Sequence, residues 1–285
     1  MRVLIFGGAG MIGRKLAERL AREGRIGDRT IESLTLYDIQ AAAPPAEAAM
    51  PVKIETGDLP APGEAARLLA GKPDIVFHLA AIVSGQAEQE FDLGYRINMD
   101  GTRAVLEAAR AAGNYPRVIF ASSLAAFGAP LPDPIGDEHI AAPLTSYGTQ
   151  KAIGELLVSD YTRKGFVDGL ALRLPTICVR PGKPNAAASG FFSAIIREPL
   201  AGQEAVLPVS DDVMHWHASP RARPVRSAHY RRLAAALRYA PRTRPRLRGG
   251  RQLRGDHSRP YRGRAGRRRA GLDVPALRSS ARPRR

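Results

Sequence analysis

The heptapeptide Gly7-Gly8-Ala9-Gly10-Met11-Ile12-Gly13 stands between an apolar run, Arg2–Phe6, and an amphipathic stretch, Met11–Glu23. Few folds use that junction. A strand that turns through glycines directly into a helix gathers main-chain amides and the positive end of the helix dipole at one point, where an anion can sit. Glycines at 7, 10 and 13 let the chain turn tightly, let a pyrophosphate approach the backbone, and seat the helix against the sheet. A glycine-rich turn without a ligand has the same spacing. The strand before it and the helix after it are the context a dinucleotide site requires.

Beyond this unit, apolar runs and helical stretches keep alternating. Strands are predicted over 2–6, 33–37, 52–55, 74–79, 117–121 and 170–177, and helices over 11–23, 62–70, 88–112 and 146–163. Residues 41–49 form a Pro/Ala connector. Such alternation specifies an α/β fold, a doubly wound parallel sheet of the Rossmann kind with helices on both faces. The helices over 88–112 and 146–163 exceed what one sheet face needs, and a homodimer through them is expected. The expected domains are a dinucleotide-binding domain over 1–177, a small and incomplete substrate lobe over 178–220, and a distinct tail over 221–285.

The tail carries the charge. The 285 residues have a formal net charge of +16, yet residues 221–285 hold 22 Arg, no Lys and only Asp256 and Asp273 as acids, or +20. The first 220 residues are therefore mildly acidic, at −4. The tail also lacks Ile, Phe, Met, Glu, Asn, Cys and Trp. It fits a nucleic-acid arm that neutralises phosphates, a solvated disordered extension, or translation out of frame, since Arg, Pro, Ala and Gly have GC-rich codons. The last reading is favoured, so nucleic acid is not the expected partner.

Cys178 is the only thiol, which excludes an internal disulfide and a Cys-rich metal centre. His215 and His217 lack a third ligand, and no metal is expected. No run reaches the roughly 18 apolar residues of a membrane helix, and the N-terminus reads as a strand rather than a cleavable signal. A cytoplasmic protein is expected.

Asp38 ends the second predicted strand, where a carboxylate can accept both ribose hydroxyls of an adenosine and repel a 2′-phosphate, favouring NAD over NADP. Asp58 is a candidate for the adenine edge or, equally, a helix N-cap. Leu79-Ala80-Ala81 is small enough to admit a nicotinamide ribose, although alanines there are also ordinary core. His78 reads as a satisfied core histidine. Tyr147 and Lys151 lie four apart on one helix and so share a face, with Ser123 at the end of a strand. A tyrosine ionises near pH 10, so a base working near neutrality needs its pKa lowered by about 3 units, or roughly 4 kcal/mol. A neighbouring cation supplies about 1 to 3. Lys151 and an oxidised nicotinamide would suffice. Tyr147 could then take a proton from a substrate hydroxyl whose carbon gives hydride to the nicotinamide. Without context, Tyr-x-x-x-Lys is also an ordinary amphipathic pair.

These pieces, together with Gly57-Asp58, His78 to Ala81, Asn98-Met99-Asp100-Gly101-Thr102, Ser122-Ser123 with Phe127-Gly128, and Tyr147-Gly148-Thr149-Gln150-Lys151, resemble the extended short-chain dehydrogenase/reductase family. The resemblance covers residues 1–180 in the family's order. It implies Tyr147 as acid/base, Lys151 on the nicotinamide ribose, Ser123 on the reacting oxygen with Ser122 as its rival, and Asn98 positioning a structural group or water. It extends the cofactor contacts from Gly7, Gly10 and Gly13 to Met11, Ile12, Leu59, Asn98 and Pro175. Residues 171–185, 191–192, 196–200 and 215–220 resemble dehydrogenases of small sugar acids such as D-erythronate, implying NAD-dependent oxidation of a C2 hydroxyl to a 2-oxo acid. Arg180, Lys183, Asn185 and His217 are the candidates for the substrate carboxylate, a diphosphate being the alternative anion. A nucleotide-sugar epimerase or dehydratase is the competing activity. The resemblance stops near Arg221, so NAD binding is expected to be weakened or retained and turnover low or absent.

Overall fold

A computed structural model describes residues 1–128, 131–132, 135–136, 139–182, 187–210 and 215–220. The arginine tail, Lys183 and Asn185 lie outside the described residues.

The order is β1 (Arg2–Phe6), α1 (Met11–Glu23), a hairpin of β2 (Arg25–Ile26) and β3 (Arg29–Thr30), β4 (Ser33–Asp38), β5 (Val52–Thr56), α2 (Glu64–Leu69) and β6 (Ile75–His78). Then come α3 (Ser84–Gln89), α4 (Phe91–Gly94), a π-helical segment Tyr95–Asp100, α5 (Gly101–Ala112), β7 (Arg117–Ser123) and α6 (Ser146–Arg163). The described part ends with β8 (Asp168–Leu174), β9 (Thr176–Ile177), α7 (Phe191–Leu200) and β10 (His217–Ala218). Six strands form one parallel sheet in the order β5-β4-β1-β6-β7-β8. This is the doubly wound order, with the switch point between β1 and β6. A ligand crevice is expected beyond the carboxyl ends of those two strands.

Strand alternation sorts the side chains into two cores. Leu4, Phe6, Val76, Val118 and Phe120 face α2, α5 and α6, whereas Val3, Ile5, Leu34, Leu36, Ile75, Phe77 and Ile119 face α1. Both faces are covered, so the strands read as continuous apolar runs. Each fully buried Leu or Ile contributes about 1.5 to 3 kcal/mol through removal from water. Thr145 starts α6 by accepting a hydrogen bond from the Gly148 amide at 3.1 Å, an N-cap just ahead of the reactive turn.

Two expectations are corrected. The helix expected over 88–112 is interrupted at Glu90 (φ −114°, ψ 71°) and then passes through the π segment before α5. There Thr102 Oγ1 donates to the Asn98 carbonyl at 2.6 Å, and such local bonds compete with the regular ladder. The strand expected over 170–177 is two strands. Pro175 has no amide to donate, the sheet strand ends at Leu174, and Thr176–Ile177 pairs instead with His217–Ala218.

Candidate active site

The carboxyl ends of β1, β4 and β6 are in register at Phe6, Tyr37 and His78, which brings the glycine turn, Asp38 and Leu79 to one edge. Gly7 has φ +88°, and a Cβ there would lie 2.7 Å from the Ala80 nitrogen. A Cβ at Gly13 would lie 2.0 Å from the Gly7 carbonyl oxygen. These glycines are therefore demanded by the close approach of the turn to β6 and α1. At Gly10 a Cβ would meet only the Gly7 carbonyl oxygen, at a tight 3.3 Å, and the residue is otherwise exposed. Gly10 caps α1 without a side-chain hydrogen bond, leaving first-turn amides for an anion.

Asp38 fixes this turn. Its Oδ2 accepts from the Ala9 amide at 3.0 Å and its Oδ1 from the Ile39 amide at 2.8 Å. Each oxygen keeps a lone pair for a ribose hydroxyl. Asp58 is not an N-cap: α2 begins at Glu64 with Gly63 as its cap, and the Asp58 carboxylate pairs with Arg96 at 2.6 Å. The cradle, its free amides and a carboxylate at the end of β4 fit a dinucleotide. A cleft of about 200 Å³ opens at Gly10 between Ala9, Met11, Arg14, Arg180 and Pro181.

At the end of β7, neighbouring serines point to opposite sides. Ser122 is buried and donates to Glu155, while Ser123 hydrogen-bonds the Tyr147 phenol and accepts from the Ala125 amide at 3.1 Å. Lys151 is buried, its ammonium donating to the Ala121 carbonyl at 2.8 Å and lying 4.8 Å from the Phe120 ring centroid and 5.6 Å from that of Tyr147. Burial lowers the Lys151 pKa to about 8. The phenol departs from expectation: burial raises the Tyr147 pKa, and the Ser123 hydrogen bond lowers it by less. Desolvation of the phenolate outweighs the serine's contribution.

Asn98 is fully engaged. Its Oδ1 accepts from the Ile82 amide at 2.9 Å, and its Nδ2 donates to the Ile82 carbonyl at 3.2 Å and to Gln150 Oε1 at 2.8 Å. The amide thus ties the loop after β6 to α6, one residue from Lys151. His78 is buried beside this cluster and is only half satisfied. Nε2 meets Thr102 Oγ1 at 2.9 Å, but Nδ1 has no partner. Burial first, then the Lys151 charge, lowers its pKa to about 3.

Gln150, Glu155 and Arg173 were not anticipated. Glu155 takes Arg173 Nη2 at 2.8 Å and Nε at 2.9 Å together with the Ser122 hydroxyl, bracing β7, α6 and β8 behind the reactive turn. The available signal was Glu155 one turn after Lys151. Pro175 follows β8, and Met11, Ile12, Leu59 and Ala81 are in or near the loops at this edge. Arg180 lies apart from the reactive turn, against Gly10. His217 is exposed on β10, with Nδ1 3.7 Å from the Cys178 sulfur. Among the described residues no group of three His, Cys, Asp or Glu side chains could hold a metal ion, and no helix is long and apolar enough to cross a membrane.

The NAD dependent epimerase/dehydratase family model matches residues 3–218. D-erythronate dehydrogenase of Cupriavidus necator is 52% identical over 226 residues, covering 78% of this chain and 69% of that protein. D-erythronate dehydrogenase of Haemophilus influenzae is 47% identical over 220 residues, covering 77% and 69%. The crystal structure of a nucleoside-diphosphate-sugar epimerase from Agrobacterium tumefaciens is 60% identical with a TM-score of 0.74, over 78% of this chain and 66% of that one. The matched region thus spans about two thirds of these relatives. The chain belongs to the NAD-dependent epimerase/dehydratase family, its cofactor is NAD, and its Rossmann fold is that of an NAD-dependent oxidoreductase.

Proposed function

We propose that this chain is an NAD-dependent dehydrogenase of a small sugar acid, oxidising the C2 hydroxyl of an aldonate such as D-erythronate to the 2-oxo acid. The observation that carries the reading is Tyr147, hydrogen-bonded to Ser123 and beside the Lys151 ammonium, in a chain 52% identical to a D-erythronate dehydrogenase. NAD, when bound, supplies the hydride acceptor. Tyr147 takes the substrate hydroxyl proton, and Ser123 holds the oxygen as it becomes a carbonyl. Lys151 keeps two further N–H donors for the nicotinamide ribose and stabilises the phenolate. Asp38 takes the adenosine ribose, and Asn98 holds the Ile82 loop in place.

Burial raises the pKa of the phenol, and in this reading the Lys151 ammonium and the nicotinamide charge together lower it so that Tyr147 acts as the base. Homodimer formation through α5 and α6 belongs to the same reading, with Leu156 on α6 71% exposed; light scattering of the purified chain tests it. We also place the cofactor domain at 1–177, the partial substrate lobe at 178–220, and the protein in the cytoplasm.

The decisive assay mixes enzyme at substrate-level concentration with NAD and D-erythronate, so that one turnover is visible even if the partial lobe makes steady-state turnover slow. One 2-oxo acid per NADH is expected, and Tyr147→Phe should lower the rate by about 100- to 10,000-fold. The Agrobacterium tumefaciens relative, named as a nucleoside-diphosphate-sugar epimerase, favours a second reading. Epimerisation of a nucleotide sugar without net NADH would replace the first with it.

A further inference from the structure

We propose that Arg180 binds the cofactor, its guanidinium reaching across the cleft to the pyrophosphate. The inference rests on the NAD reading and adds a contact from beyond the main sheet. Arg180 lines the cleft with Gly10, Met11, Arg14 and Lys15, a lining that includes neither Ser123 nor Tyr147. A carboxylate at the reacting carbon would sit with those two residues; an anion beside Gly10 is the one the glycine turn holds.

The backbone of Arg180 is secured on both sides. Its amide donates to Ser193 Oγ at 3.0 Å, and its carbonyl accepts from Arg197 Nη1 at 2.7 Å. Both partners lie on α7, and Arg197 is itself paired with Glu198. The position is therefore set before a ligand arrives.

The charge around it is unbalanced. Arg14 closes the first turn of α1 and Lys15 opens the second, near the helix end whose dipole disfavours cations. Among the described residues Arg14, Lys15 and Arg180 enter no ion pair. Glu18 is the carboxylate on the same rim, so three cations against one acid leave two positive charges. A pyrophosphate diester carries two negative ones. Arginine suits it because its planar fork can donate two parallel hydrogen bonds to phosphate oxygens.

Calorimetric titration of the full chain with NAD, ADP-ribose and adenosine tests the assignment. Arg180→Ala should weaken NAD and ADP-ribose by about 10- to 100-fold, the range of a charge-assisted contact, and leave adenosine within about twofold. Arg180→Lys should recover part of the loss, and added salt should narrow the difference between wild type and Arg180→Ala. If Arg180→Ala does not fold by circular dichroism, Arg180→Gln is titrated in its place with the same expectation. Unchanged NAD and ADP-ribose affinity in a folded variant overturns the proposal, whether or not D-erythronate binding falls. Failure of the wild type to bind either dinucleotide overturns the NAD reading, and this inference with it.

Discussion

Lowering the pH should destabilise this protein through His78. The imidazole is 1% exposed, wedged between Phe6 and Phe120 with ring centroids at 6.0 and 5.5 Å. Its pKa falls from 6.5 to about 3. Because the folded-state value is depressed, the unfolded chain binds the proton first, and stability declines as pH falls below 6.5. The neutral imidazole's contribution is complete above that value and is spent near pH 3. Each pH unit is worth about 1.4 kcal/mol, so two units, from 6.5 to 4.5, remove roughly 3 kcal/mol. That is a large share of the roughly 5 to 15 kcal/mol of a typical domain. Urea unfolding at pH 7.0, 5.5 and 4.5 measures it, as approximate sampling points across the window. His78→Gln keeps an amide donor for Thr102 and removes the titration. Carboxylates contribute alike to both proteins, so the difference in slope belongs to His78. Equal slopes would refute the reasoning, because the buried ring would then be charged, or exposed, in the folded protein.

Three further outcomes follow from the site. Lys151 loses its proton near pH 8, so kcat/KM should fall above that value even though Tyr147 ionises more readily there; a pH profile rising steadily to pH 10 would contradict the role given to the ammonium. Asn98→Ala leaves the Ile82 amide and Gln150 Oε1 without their partner and should cost about 2 to 6 kcal/mol in urea unfolding, the sum for two orphaned groups at about 1 to 3 kcal/mol each. Gly13→Ala places a methyl 2.0 Å from the Gly7 oxygen, and the resulting shift should weaken NAD binding by about 5- to 150-fold in calorimetry if the overpacking cost of about 1 to 3 kcal/mol falls on the cradle.

The parts legible in the sequence are those with a local cause. Helix α1 and helix α6 begin and end at the predicted residues, Met11–Glu23 and Ser146–Arg163, because a glycine turn and a threonine cap set their starts. Strand β1 likewise lies at Arg2–Phe6. The apolar pattern carries straight through the π segment and through Pro175, so it hid both interruptions. Their causes are the Thr102 hydroxyl bonded to the Asn98 carbonyl and a pairing partner 41 residues away, Thr176 with His217. The same contrast holds at the site. The glycine junction and the Tyr147–Lys151 pair are visible as spacing, whereas Ser123 was preferred to Ser122 only on the family resemblance. Gln150 and Glu155 are ordinary polar letters on a weakly amphipathic helix until packing places them. Tyr147 shows the opposite failure. Its partner was evident, but its desolvation depends on depth, which spacing does not encode.

The β9–β10 pairing works as a latch on a long excursion of chain. Closing a loop of about 40 residues costs roughly 3 kcal/mol of entropy. Beyond the bonds of the ladder itself, the clasp has Thr176 to Trp216 at 3.1 Å and Cys178 to Ala218 at 3.0 Å, each contributing about 1 kcal/mol. Stacking of Phe192 on His215 at 4.7 Å adds to it, so the clasp's contacts are of the same order as the cost of closing the loop. Amides along α7 should therefore exchange with solvent sooner than those of the central sheet, and a dinucleotide gripped from this side would slow them.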